Sequence, residues 1–265
     1  MMEKISSECS IRRCFNKIAM VGVKALAVAV GLIGATGSAF GETVWIGQFQ
    51  PANGTLPAPW KVEQFDTSIA ATRFQTRVWD GVAAVEAEAR HSMSVLVRPI
   101  TVNLEATPFL CWRWRVEASI ATADIHTKAG DDYAARIYLM YRVADENLGF
   151  ATRTKLALAR AVRGNQVPDA AINYVWDNRS PVGTVVANAY TDRAMMWVLR
   201  SGDAEAKRWV GERRDVRQDF KRAFGYLPTS LYAIGLATDT DNTGGSASAG
   251  FSELRFVSEN ETCPR

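Results

Sequence analysis

The stretch Phe109-Leu110-Cys111-Trp112-Arg113-Trp114-Arg115-Val116 alternates its side chains with a period of two. That period belongs to a β-strand, in which successive side chains leave on opposite faces. Leu110, Trp112, Trp114 and Val116 share one face, and two tryptophans on one face need a core to cover them. Arg113 and Arg115 share the other face. Val82 to Ala89 reads the same way, with Val85, Ala87 and Ala89 inward and Glu86 and Glu88 outward.

Outward from these two runs the text is strand after strand, with turn signals between. Thr43–Phe49, Ile69–Val78, Ser92–Val97, Ile100–Leu104, Tyr133–Tyr141, Ile172–Trp176, Thr184–Ala189, Ala194–Leu199, Ser230–Ala237 and Gly250–Val257 are the further strands expected. Trp209 and Val210 belong to another. Trp79-Asp80-Gly81 is a turn, and the Pro/Gly-rich loop Gln50–Pro59 leads to Trp60, expected to cover one end of the core. Thr152–Arg163 fits either a short helix or a strand. One helix is well marked: Asp215 as N-cap, Val216, Phe220 and Phe224 four apart, Lys221 and Arg222 in the last turn, and Gly225 to close it.

Many short strands with one or two short helices predict an all-β chain, an antiparallel two-sheet β-sandwich that is jelly-roll-like. The strand–helix alternation of an α/β fold is absent. The expected organisation is a signal peptide over 1–41, one sandwich domain over 42–257 and a polar tail over 258–265.

The chain has 265 residues, 48% of them hydrophobic and 22% charged, which suits one large core. Its formal charge of +3 comes from the N-terminus. Residues 1–41 hold Lys4, Arg12, Arg13, Lys17 and Lys24 against Glu3 and Glu8. Without those five cations and two anions, the 31 basic and 28 acidic residues fall to 26 of each. A neutral remainder gives no electrostatic footprint for nucleic acid. The basic start, the apolar run Ala25–Ile33 and the small residues ending in Ala39-Phe40-Gly41 read as an export signal cut before Glu42, with a cut after Ala39 as the alternative. The run is too short for a membrane span. Arg12-Arg13-Cys14-Phe15-Asn16-Lys17 resembles the twin-arginine motif, from which Asn16 and Ile11 depart. The expected address is periplasmic or secreted. There, Cys111 and Cys263 could form a disulfide that ties down the tail; Cys111 as a small buried hydrophobe is the alternative.

Two acidic segments stand out. Lys128-Ala129-Gly130-Asp131-Asp132-Tyr133-Ala134-Ala135-Arg136-Ile137-Tyr138 runs from a turn into a strand. Asp239-Thr240-Asp241-Asn242-Thr243-Gly244 is a turn near the C-terminus. The two are expected to meet. With Trp112-Arg113-Trp114-Arg115-Val116, Arg214-Asp215-Val216, Phe224-Gly225 and Thr238, these segments resemble a bacterial exported family catalogued as domain of unknown function 3047. The resemblance implies an exported β-rich domain and carries over no catalytic residue.

Candidate ligand-binding residues are Lys128, Asp131, Asp132, Arg136, Asp239, Asp241 and Asn242. Arg113 and Arg115 join Arg136 on one surface if their strand pairs with Tyr133–Tyr141. Such a face would suit an anionic glycan through forked hydrogen bonds. Asp239, Asp241 and Thr243 offer oxygens at alternate positions before Gly244, as a calcium loop begins. Gly250 stands where the helix-loop-helix motif needs its final Glu, so an EF-hand is excluded. No other cofactor is expected. The two histidines, His91 and His126, cannot make a multi-histidine metal site. Asp124 and His126, or Cys111 and His126, are bare pairs without a nucleophile motif. The leading reading is a non-catalytic module for a small-molecule or glycan ligand. The alternatives are a glycan hydrolase with one carboxylate from each acidic segment, and a structural envelope protein whose acidic loops only hold the fold.

Overall fold

The computed structural model describes residues 43–50, 55–163 and 167–263. The expected signal segment 1–41 and the centre of the Gln50–Pro59 loop lie outside them. In chain order the elements are β1 (Val44–Gly47), β2 (Lys61–Glu63), β3 (Arg73–Trp79), β4 (Val82–Arg90), β5 (Val95–Pro99), β6 (Phe109–Val116), β7 (Ala135–Arg142), α1 (Phe150–Arg163), β8 (Ala170–Asp177), β9 (Val185–Asn188), β10 (Thr191–Ser201), β11 (Val210–Asp215), α2 (Val216–Phe224), β12 (Ser230–Ala237) and β13 (Ser246–Val257).

The strands form a two-sheet β-sandwich. One sheet has the order β11-β6-β13-β4-β3, with β1 also on β13; the other runs β2-β5-β12-β7-β8-β10-β9. Pairing between these strands is antiparallel except for β10 on β8, which is parallel. The alternation of β6 sets the sandwich. Leu110, Trp112, Trp114 and Val116 are buried between the sheets, where Trp112 stacks on Tyr174 at 5.4 Å and Trp114 packs against Trp176 at 5.8 Å. Each such ring pair is worth about 0.5–1.5 kcal/mol beyond the area it buries. Val85, Ala87 and Ala89 face the same core. Trp60 closes one end, its indole donating to Ile46 O at 3.2 Å and its ring meeting Phe49 at 5.6 Å.

Two expectations change and one open reading is resolved. Ile100–Leu104 is not a strand: Pro99 ends β5, and the Asn103 side chain accepts from the Glu105 and Ala106 amides to make a turn. Thr152–Arg163, left open by its pattern, is helix α1; strong helix formers fill it, and it buries Leu156. Trp209 stands just before β11 rather than within it. Helix α2 follows its signals, with Asp215 accepting from the Gln218 amide at 2.9 Å and Gly225 left-handed at φ 84.

Cys111 and Cys263 are joined by a disulfide that spans 152 residues with a Cα–Cα distance of 5.6 Å. Cys111 therefore has no thiol to offer His126. The Asp124 carboxylate is likewise engaged, accepting from the His126 amide and pairing with Arg179.

Candidate functional site: an acidic centre at the β7–β12 boundary

Antiparallel pairing brings the two acidic segments together. β12 lies against β7 with Ala237 opposite Arg136, so the end of β12 meets the start of β7. Beyond the strands the contact continues: Thr238 Oγ1 donates to Ala134 O at 2.9 Å, and the Asp239 amide donates to Tyr133 O at 3.3 Å. Residues 131–134 and 238–240 precede or follow their strands and are not bound by strand alternation. Both acids of each segment can then turn to one place.

Asp132 is fully buried and takes four hydrogen bonds from the other segment. Its Oδ1 accepts from the Asn242 amide and Nδ2, both at 3.3 Å, and its Oδ2 from the Thr243 amide at 2.7 Å and Oγ1 at 2.6 Å. Asp131 accepts from Asn188 Nδ2 at 2.9 and 3.0 Å and lies 3.8 Å from Arg136 Nη1. Arg136 Nη1 is 3.3 Å from Asp239 Oδ2. One oxygen each of Asp132, Asp239 and Asp241 lies within 4.8 Å of the others. Asp239 Oδ1 and Asp241 Oδ1 are buried and, among the described residues, meet no donor.

Burial, and then the neighbouring charges of Asp132, Asp131 and Asp241, push the Asp239 carboxyl well above the usual carboxylate range against the pull of Arg136. Asp241 is pushed up by burial and then Asp132. Burial is the larger cause, and the crowding of carboxylates beside the Arg136 guanidinium adds to it.

Arg136 lies on the outer face of its sheet, away from the inter-sheet core. The register puts Asn173 beside Tyr138 on β8 and Met196 beside Asn173 on β10. The guanidinium rests 4.4 Å from the Tyr138 ring centroid and 5.1 Å from that of Tyr133. Strand alternation predicts Tyr133 on the opposite face from Arg136. It instead packs with Ile125, Val175, Met196 and Val198, because the chain bends before β7 begins.

Three sequence-predicted residues stand elsewhere or act differently. Arg113 and Arg115 do not join Arg136, since β6 pairs with β11 and β13, and β7 with β12 and β8. On the outer face of the other sheet, Arg115 pairs with Asp80 and with Glu117 while covering Trp79, and Arg113 pairs with Glu253. Lys128 stays beside the site but turns to an aromatic ring, its ammonium 5.1 Å from the Tyr190 ring centroid. Tyr190, Asn188 and Asn173 join the site without any local sequence pattern to mark them, whereas strand alternation already sets Tyr138 on the face of Arg136. Tyr190 is 56% exposed, with its hydroxyl 2.8 Å from Asn242 Oδ1 and 3.2 Å from Lys128 O.

No curated protein matches this chain. Among solved structures it is similar to the xyloglucanase domain of NopAA, a type three effector from Sinorhizobium fredii, in complex with cellobiose. Identity is 10% over 77% of this chain and 100% of that one, with a TM-score of 0.36. It is also similar to Trichoderma harzianum endoglucanase 3 from family GH12, at 9% identity, 76% and 100% coverage and a TM-score of 0.36. A third is the thermostable cellulase derived from Cel12A of Rhodothermus marinus, at 13%, 80% and 98%, and 0.36. Similarity this low matches no residue of theirs to one of this chain. The family model described as "Protein of unknown function (DUF3047)" matches residues 58–255, from before β2 into β13 and across both acidic segments. The chain belongs to that family.

Proposed function

We propose that this protein is an exported, non-catalytic β-sandwich that binds a hydroxyl-rich ligand, a glycan of the cell envelope, at the rim of the acidic centre. The observation that carries this reading is Tyr190. Its ring is exposed while its hydroxyl is held by Asn242 and the Lys128 carbonyl, directly beside the buried carboxylates. A fixed aromatic face with amide and ammonium groups around it is what stacking on a sugar ring requires.

The same geometry argues against glycoside cleavage. Paired-acid hydrolysis needs carboxyls about 5–10 Å apart across a sugar. Here one oxygen each of Asp132, Asp239 and Asp241 lies within 4.8 Å of the others, and the first two residues are shut off from solvent, with no room for a sugar between them. Export is supported by the signal-like residues 1–41 and by the disulfide, which persists in oxidising compartments. Among the described residues no helix is long and apolar enough to cross a membrane.

The test is a binding screen of residues 42–265 against soluble envelope polysaccharides and peptidoglycan fragments. Tyr190→Ala should weaken binding by about tenfold or more while leaving the melting temperature unchanged. Absence of binding to every glycan, or full binding by the variant, would refute the reading.

A further inference from the structure

We infer that Asp132, Asp239 and Asp241 form a binding site for a hard divalent cation of the calcium class. Three carboxylates in proximity do not make a site, so the further observation is decisive. Asp239 is 2% exposed, yet its Oδ1 meets no donor among the described residues; in half-buried Asp241 the Oδ1 atom is also covered and without a donor, while the Asn242 side chain serves the rest of that carboxylate. A buried carboxylate oxygen without a partner costs about 1–3 kcal/mol or more, and a native fold rarely leaves two side by side. These two oxygens belong to members of one cluster whose ligand atoms lie within 4.8 Å of one another.

The charge count agrees. Asp131, Asp132, Asp239 and Asp241 bring four negative charges, and among the described residues Arg136 is the cation that pairs with them. Asn188 and Thr243 supply hydrogen bonds but no charge. With all four ionised, three excess charges would remain in a largely buried space. A divalent cation removes two of them at once, which no neutral donor can do.

Donor chemistry selects the ion. The cluster offers oxygens only, with no thiolate or imidazole among its ligand atoms, which suits hard cations over zinc or copper. Magnesium keeps several of its waters, and near-complete burial of Asp132 and Asp239 leaves little room for them, so calcium is the better fit. The four hydrogen bonds that Asn242 and Thr243 donate to Asp132 are the outer support that orients a metal-binding carboxylate. Of the calcium loop read from sequence, Asp239 and Asp241 stay as ligands. Asp132 joins them from the first acidic segment, and the Thr243 hydroxyl, which donates its proton to Asp132, keeps its oxygen lone pairs beside the cluster.

This inference shares its location with the proposed glycan site but does not depend on a sugar. The experiment is therefore a metal titration of the mature chain without glycan. Terbium, a calcium substitute excited through nearby tyrosines, should show saturable luminescence at one equivalent, displaced by calcium. Calcium should raise the melting temperature and chelator should lower it, since an ion held only by the folded state stabilises that state. Asp241→Asn should abolish the terbium signal, and Glu146→Gln, at an exposed acid outside the cluster, should retain it. Unsaturable luminescence in the unaltered chain, or an undiminished signal in Asp241→Asn, would overturn the assignment. The titration of the unaltered chain decides the matter even where a variant fails to fold. A cation site without any glycan affinity would defeat the ligand reading alone.

Discussion

The Arg136 guanidinium and the Asp239 carboxylate face each other across the β7–β12 boundary, 3.3 Å apart, with side chains 6% and 2% exposed. Arg136 is the cation inside a cluster of four acids, so its loss leaves buried negative charge without compensation. Arg136→Met should lower stability by about 3–5 kcal/mol, read as a shift of the urea midpoint at constant slope. A loss below about 1 kcal/mol would show that the carboxylates are neutralised by something other than this arginine.

The raised carboxyl of Asp239 sets a pH dependence in chelator. Between the ordinary carboxylate range and its raised value, the folded chain holds a proton that the unfolded chain has released. Stability therefore falls as pH rises through that window and grows as pH drops. Melting temperatures in chelator should rise from about pH 7 to about pH 5, and added calcium should flatten that rise. At lower pH, Glu88, held below its usual range by Arg73 and Arg90, turns protonation against the fold. A melting temperature that declines steadily from neutral pH in chelator would contradict this.

Gly130 positions the first acidic segment by close approach. A Cβ there would sit 2.5 Å from the Asp124 amide nitrogen and 2.7 Å from Asp124 Cβ, in a turn closed by the Asp124 amide on Gly130 O. Gly130→Ala must push that turn open and should cost about 1–3 kcal/mol. The check is chemical denaturation, together with tryptophan fluorescence to confirm an intact core. An unchanged midpoint would mean that the turn yields freely.

The Cys111–Cys263 bond closes a long loop and fastens the C-terminal segment to β6. Reduction, or replacement of both cysteines by alanine, should remove about 2–5 kcal/mol, measured by guanidinium unfolding with and without reductant. Coincident curves would reduce the bond to a passenger.

The alternating text of 109–116 is enough to fix which side chains of β6 face inward, because a strand's period is local and two tryptophans on one face must be buried. The caps of α2 are legible for the same reason: Asp215 and Gly225 act on backbone groups within a few residues. The boundaries of β6 and β12, and the two-sheet class itself, follow from such patterns. Which strands lie side by side is a matter of contacts between residues far apart in the chain, and no periodicity encodes it. Arg113 and Arg115 therefore went to one sheet and Arg136 to the other. Pairing of β12 with β7 brought Asp239 to Arg136, and packing of β9 and β10 beside them supplied Asn188 and Tyr190. Local chemistry named the acids; only the tertiary structure decided that they gather around the Arg136 guanidinium.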